Sequence, residues 1–165
     1  MKDKFLTVYA VLDESTQQKL KSIQDRLRDM GYIGKQLTDI PFHITLGSFP
    51  LEYKEVLSEK IASVCSATSK FSINLKGINH FSNKVLFVEP EENGHLTKLH
   101  NLFDRNYADG FPWQAHVTLY IDSARKVKKV KKYLSQSFVH IQAQAVGIEM
   151  GEFFPAQKII SKDFV

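Results

Sequence analysis

Apolar and polar positions alternate between two periods along this chain, and the change of period marks its elements. Phe5 to Leu12 is a dense β-branched and aromatic run, which predicts a buried strand. Ser15 lies three residues before Gln18, a capping-box spacing that predicts a helix start. Leu20, Ile23, Leu27 and Met30 then recur three and four apart, one helix face, until Gly31 closes it and Gly34 follows in the loop. A second strand is predicted from Phe42 to Phe49, after Pro41. A second helix covers Glu52 to Ser66, with Tyr53, Val56, Leu57, Ile61 and Val64 inward, and a third strand runs from Phe71 to Phe81.

The same order then begins again. Ser82-Asn83 reads as a turn, Val85 to Glu89 as a strand, and Asn93 to Tyr107 as a helix with Leu96, Leu99, Leu102 and Phe103 on its apolar stripe. Gly110 and Pro112 break the pattern before a strand from Ala115 to Ile121. Asp122 or Ser123 caps a helix to Ser135, with Val127, Val130 and Leu134 inward. Strands from Val139 to Met150 and from Gln157 to Phe164 end the chain. Each half therefore reads strand, helix, strand, helix, strand. With no Gly-, Ser- or Pro-rich linker between them, residues 1–165 are expected to form a single two-lobed domain, lobe one about 1–81 and lobe two about 82–165. A cleft is expected between the facing lobes.

The middle strands of the two halves carry the same four-residue pattern. His43-Ile44-Thr45-Leu46 in the first is matched by His116-Val117-Thr118-Leu119 in the second. Given 6 His, 7 Thr and 15 Leu in the chain, chance would place Thr and Leu after two histidines in this way roughly two times in ten thousand. Side chains alternate along a strand, so each imidazole shares a face with its threonine, about 7 Å away, while Ile44, Leu46, Val117 and Leu119 point to a core. Facing lobes would bring two imidazoles and two hydroxyls to one place. That set suits a phosphodiester. Histidine serves as base or acid near neutral pH, and threonine hydroxyls donate hydrogen bonds to non-bridging oxygens. A single histidine on a strand is ordinarily a hydrogen-bonded structural residue; the repetition is what argues otherwise. Zinc is not expected. It needs three or four Cys, His, Asp or Glu ligands, whereas the chain has one cysteine, no His-x-x-x-His pair and no carboxylate at a facing position near either tetrad histidine.

Composition narrows the class further. An apolar fraction of 43 % with 12 Phe, 6 Tyr and one Trp excludes a disordered chain. A lone Cys65 excludes an intrachain disulfide scaffold and fits a reducing compartment. No apolar run reaches the roughly 20 residues of a membrane helix, and Met1 to Phe5 lacks a secretory layout, so a cytoplasmic location without membrane association is expected. The net charge of +4 favours anionic partners, although a soluble surface with a few surplus lysines is the better account of it on charge alone.

The two His-x-Thr-Leu tetrads, about 70 residues apart in a small chain, resemble the two-histidine phosphoesterase superfamily, and most its 2′-5′ RNA ligase and cyclic phosphodiesterase branch. The resemblance implies a bilobal α+β fold with a largely antiparallel sheet in each lobe. It implies hydrolysis of 2′,3′-cyclic phosphates, or of related cyclic or 2′-5′ phosphodiesters, without metal or cofactor. It also allows 2′-5′ joining of RNA ends as the reverse reaction. His43 and His116 map onto the catalytic pair, and Thr45 and Thr118 onto the phosphate-binding pair. The partner is then RNA or a nucleotide phosphodiester, and the protein is expected to act as a monomer. The alternative is an RNA- or cyclic-nucleotide-binding module using the same cleft without turnover.

Supporting residues carry weaker signals. Strand parity places Phe49 and Tyr120 on the His/Thr face, where aromatic rings stack on nucleobases or simply close the core edge. Arg105 is a further candidate cation for the substrate. Trp113, Phe42, Phe111 and Tyr9 have no place in the cleft assured by parity. Arg125 to Lys132 holds six basic residues in eight. That run guides RNA or is a solvated helix face, and the buried valines favour the second reading. His80, His95, His100 and His140 lack the threonine partner and read as surface or structural residues.

Overall fold

A computed structural model of the protein describes residues 3–103 and 113–165. The first half contains β1 (Phe5–Leu12), α1 (Glu14–Asp29), β2 (His43–Pro50), α2 (Lys54–Ser66) and β3 (Phe71–Phe81). The second contains β4 (Val85–Pro90), α3 (Gly94–Leu102), β5 (Val117–Ile121), α4 (Ala124–Ser137), β6 (Ile141–Phe153) and β7 (Gln157–Asp163). Local chemistry sets the boundaries. Asp13, rather than Ser15, caps α1, accepting from the Thr16 amide and hydroxyl. Asn93 and Ser123 cap α3 and α4. Phe81 pairs with Val85, so residues 82–84 form the loop between β3 and β4, and Ser82 and Asn83 in it take positive φ. In α2 the buried stripe is Leu57, Ile61 and Cys65. Val56, read as inward from spacing, is 60 % exposed.

The strands form one antiparallel sheet in the order β2-β1-β6-β3-β4-β5, with β7 pairing to β6. The halves interleave. The third strand of the first half, β3, pairs with β4, and the third strand of the second half, β6, pairs with β1. The β3–β6 ladder joins the two sheets into one. The tetrad strands β2 and β5 occupy the two ends of this order, and the sheet bends so that they touch each other.

One face of the sheet carries Leu6, Val8 and Ala10 of β1, Ile44 and Leu46 of β2, Leu86 and Val88 of β4, and Val117 and Leu119 of β5. The apolar stripes of the helices complete the same core, through Leu20 and Leu27, Leu57 and Ile61, Leu96 and Leu99, and Val127, Val130 and Leu134. Burying these side chains at about 1.5–3 kcal/mol each is the main force holding the sheet bent. The opposite face carries Thr7 and Tyr9 of β1 beside His43 and Thr45 of β2, and Thr118 of β5.

Candidate active site

His43 opens β2 and His116 lies one residue before β5. The two rings are held identically. Nδ1 of His43 donates to the Pro41 carbonyl at 2.8 Å, and Nδ1 of His116 donates to the Gln114 carbonyl at 2.9 Å, each two residues back. A carbonyl only accepts, so the proton is fixed on Nδ1 and Nε2 is left for chemistry. Burial pushes both rings below the ordinary imidazole range. At His43 the Pro41 carbonyl opposes the shift and the nearby His116 adds to it. At His116 burial is again the main cause, opposed by the Gln114 carbonyl. Thr45 and Thr118 face the same groove as His43, a cavity of about 720 Å³ between the sheet, α1 and residues 36–42. The structure thus brings His43 and the two threonines into one groove; His116 is not among the lining residues, but it acts on His43 closely enough to help lower its ionisation.

Phe49 and Tyr120 are not on that face. In the β1–β2 ladder Val8 is opposite Gly47 and Tyr9 is opposite Thr45, so Leu46 is an extra, unpaired residue. In the β4–β5 ladder Leu86 is opposite Tyr120 and Phe87 is opposite Thr118, which leaves Leu119 unpaired. Both are β-bulges, and both fall on the leucine of the tetrad. A bulge reverses parity beyond it. Phe49, opposite Leu6, and Tyr120, opposite Leu86, are therefore turned into the core at 4 % and 1 % exposure. Ser48 and Ile121, each five residues after the histidine, take the groove side, and Ile121 lines the groove. The Tyr120 hydroxyl donates to Asp122, and burial with that carboxylate raises its ionisation well above the usual phenol range. Arg105 and Phe111 lie outside the described residues.

Each bulge is held by the other half. The Leu46 carbonyl accepts from Nδ1 of His100 on α3 at 2.9 Å, and the Leu119 carbonyl accepts from Nε2 of Gln24 on α1 at 2.8 Å. α1 and α3 are the equivalent helices of the two halves, so the clamps are reciprocal. Trp113 lies parallel to His100 at 3.9 Å and donates its indole N–H to the Thr45 carbonyl. Lys35 and Gln36 satisfy both backbone groups of Ile121 at the β5 edge. Spacing alone marks His100 as a surface or structural residue and gives Gln24 no role. Only the repeat of element order pairs the two helices.

The floors under the two histidines differ. Opposite Thr45 stands Tyr9, and opposite Thr118 stands Phe87. The Tyr9 ring packs 4.4 Å from His43, and Phe87 lies 5.5 Å from His116, with Phe81 at 4.8 Å. Tyr9 also donates its hydroxyl to Glu149, which in turn accepts from Ser161. Burial and this carboxylate raise the Tyr9 phenol, so it stays protonated.

The basic helix α4 packs on the other side of the sheet. Its valines join Leu86 and Val88 in the core, and Lys131 donates to Nδ1 of His80, which shares the Leu86 face. Thr118 and Phe87 lie on the reverse face. Among the described residues, no three His, Cys, Asp or Glu side chains are grouped to hold a metal ion, and no helix is long and apolar enough to cross a membrane.

Comparison with known proteins places this arrangement. Residues 11–150 match the family model of the 2′-5′ RNA ligase superfamily. Among curated proteins no sequence matches. The fold is similar to TT0787 of Thermus thermophilus, at 17 % identity and TM-score 0.65 over 97 % of both chains. It is similar to LigT of E. coli in complex with ATP, at 14 % identity and TM-score 0.62 over 100 % of this chain and 99 % of that one. Usb1 of Kluyveromyces marxianus shares the fold at 13 % identity and TM-score 0.51, over 98 % and 97 % of the two chains. With the family model spanning both tetrads, this chain is a member of the 2′-5′ RNA ligase superfamily, of mixed α+β fold with two pseudo-symmetric halves.

Proposed function

We propose that the protein is a metal-independent phosphodiesterase. It opens 2′,3′-cyclic phosphates, or related cyclic and 2′-5′ phosphodiesters, at RNA ends or in nucleotides. The observation that carries this reading is the identical tethering of two imidazoles, each with Nδ1 on a carbonyl and each two residues before a threonine that lines one groove. One neutral ring takes a proton from water at Nε2 as the water oxygen bonds to phosphorus. The other, protonated, gives its proton to the ribose oxygen as the P–O bond breaks, leaving a phosphomonoester. Thr45 and Thr118 donate to the non-bridging oxygens, where charge builds in the transition state. The same forward step, with the 5′-hydroxyl of another RNA end in place of water and the 3′ oxygen of the ribose leaving with the proton, joins ends through a 2′-5′ bond.

LigT has been crystallised with ATP, NADP+ and 3′-AMP, which supports a nucleotide as occupant here. The test is hydrolysis of a 2′,3′-cyclic mononucleotide in the presence of a chelator. Turnover that survives chelation and is lost in His43→Ala and in His116→Ala supports the proposal. Tight RNA binding without turnover would replace it with a binding module.

A further inference from the structure

The groove does not end at the tetrads. Along β1 it continues past Thr7 to Phe5, and there it meets Phe153 and Phe154 at the β6–β7 hairpin. The Phe5 and Phe153 rings lie stacked at 5.9 Å, and Phe154 stands edge-on to both, at 5.9 and 5.4 Å. Phe154 is 59 % exposed, although a ring of that size gains by burial. Phe5 is four residues along β1 from Tyr9, which faces Thr45, so this corner lies roughly 13 Å from the threonine.

Resting on the phosphodiesterase reading above, we propose that the Phe5–Phe154 corner is a base-stacking subsite. It would hold a nucleoside further along an RNA strand than the one bearing the reacting phosphate. An aromatic corner in line with a phosphate site fits single-stranded RNA, because every base offers a stacking face. The polar wall contributed by α1 and residues 36–42 carries Lys21 and Arg28 against Glu14, Asp25 and Asp39, and Lys21 is itself paired with Asp25 at 3.3 Å. With two cations against three carboxylates, that wall offers phosphates no net positive charge, so the subsite reads the base. The substrate class is then an oligoribonucleotide ending in a cyclic phosphate rather than a free cyclic nucleotide.

The test compares kcat/KM for a 2′,3′-cyclic mononucleotide and for a trinucleotide with the same terminus. Stacking of one base is worth about 1–3 kcal/mol, so the parent protein should prefer the trinucleotide by roughly 5- to 150-fold. Phe154→Ala should bring that ratio close to one, and Phe154→Trp should retain it. Raising salt from about 50 to 200 mM should leave the ratio nearly constant, whereas phosphate contacts would make it fall steeply. Equal rates on the two substrates, an unchanged ratio in Phe154→Ala, or a steep salt dependence of the ratio would each overturn the subsite. If neither substrate is turned over, the phosphodiesterase reading fails instead. Equilibrium binding of the same two ligands then decides the subsite by the same ratio in the parent and the Phe154 variants.

Discussion

His43 and His116 share a carbonyl on Nδ1 with the buried His100, but they alone begin a His-x-Thr-Leu tetrad, and the consequences of their placement are measurable. Because both rings sit below the ordinary value of about 6.5, kcat/KM should trace a bell whose centre lies on the acid side of that value. A rate rising steadily into the alkaline range would contradict the pairing. The same shifts bear on stability. As pH falls through about 6.5 the unfolded chain takes up protons that the native rings refuse, so the native state loses stability until the native rings titrate as well. Urea midpoints at pH 7.5 and 5.5 should show this decline, and His43→Gln should reduce it. For activity, removing either imidazole should cost roughly 10²- to 10⁴-fold in kcat/KM. Thr45→Ala or Thr118→Ala removes one hydrogen bond to a charged group, about 1.5–3 kcal/mol or roughly 10- to 150-fold. Threonine variants worse than histidine variants would reverse the assigned roles.

Elements show where sequence reading succeeded and where physics hid the answer. The repeated order of strands and helices was legible because apolar spacing tracks burial, and β3 runs over the residues that spacing predicts. The tetrads were legible because chemistry repeated at matching places. The bulges were not. Parity counting assumes an unbroken ladder, and one unpaired residue at Leu46 or Leu119 turns Phe49 and Tyr120 inward without any change in apolar pattern. Just past the first bulge, Gly47 lets the end of α3 approach β2. A Cβ there would lie 2.4 Å from the Phe103 carbonyl oxygen. Backbone does not yield cheaply, so Gly47→Ala should destabilise the fold by about 1–3 kcal/mol by chemical denaturation. Gln24→Leu tests the clamp on the other bulge. It leaves the Leu119 carbonyl without its side-chain donor, costs about 1–3 kcal/mol, and should lower kcat more than it raises KM if it misplaces Thr118. Unchanged kcat with lowered stability would make the clamp purely structural.

At the scale of the molecule, the two halves share one sheet, one core and both bulge clamps. Unfolding should therefore be a single cooperative transition. Trp113, the lone tryptophan, reports from the seam, since its indole reaches Thr45 in the other half. Its fluorescence and far-ultraviolet circular dichroism should give the same urea midpoint, and separated midpoints would mean that the halves melt independently. Replacing three lysines of α4 by glutamine should leave the salt dependence of RNA binding unaltered, because that helix lies behind the sheet.

The crossing of β3 and β6 between the halves also fixes what a break in the backbone would do. A nick between Ser82 and Asn83, in the tight hairpin, would leave β3 in the amino-terminal piece although its neighbours β4 and β6 belong to the other. Neither piece would carry a finished sheet edge or a complete set of imidazoles. Mixed together, they should reassemble like interlaced fingers and recover turnover that each lacks alone.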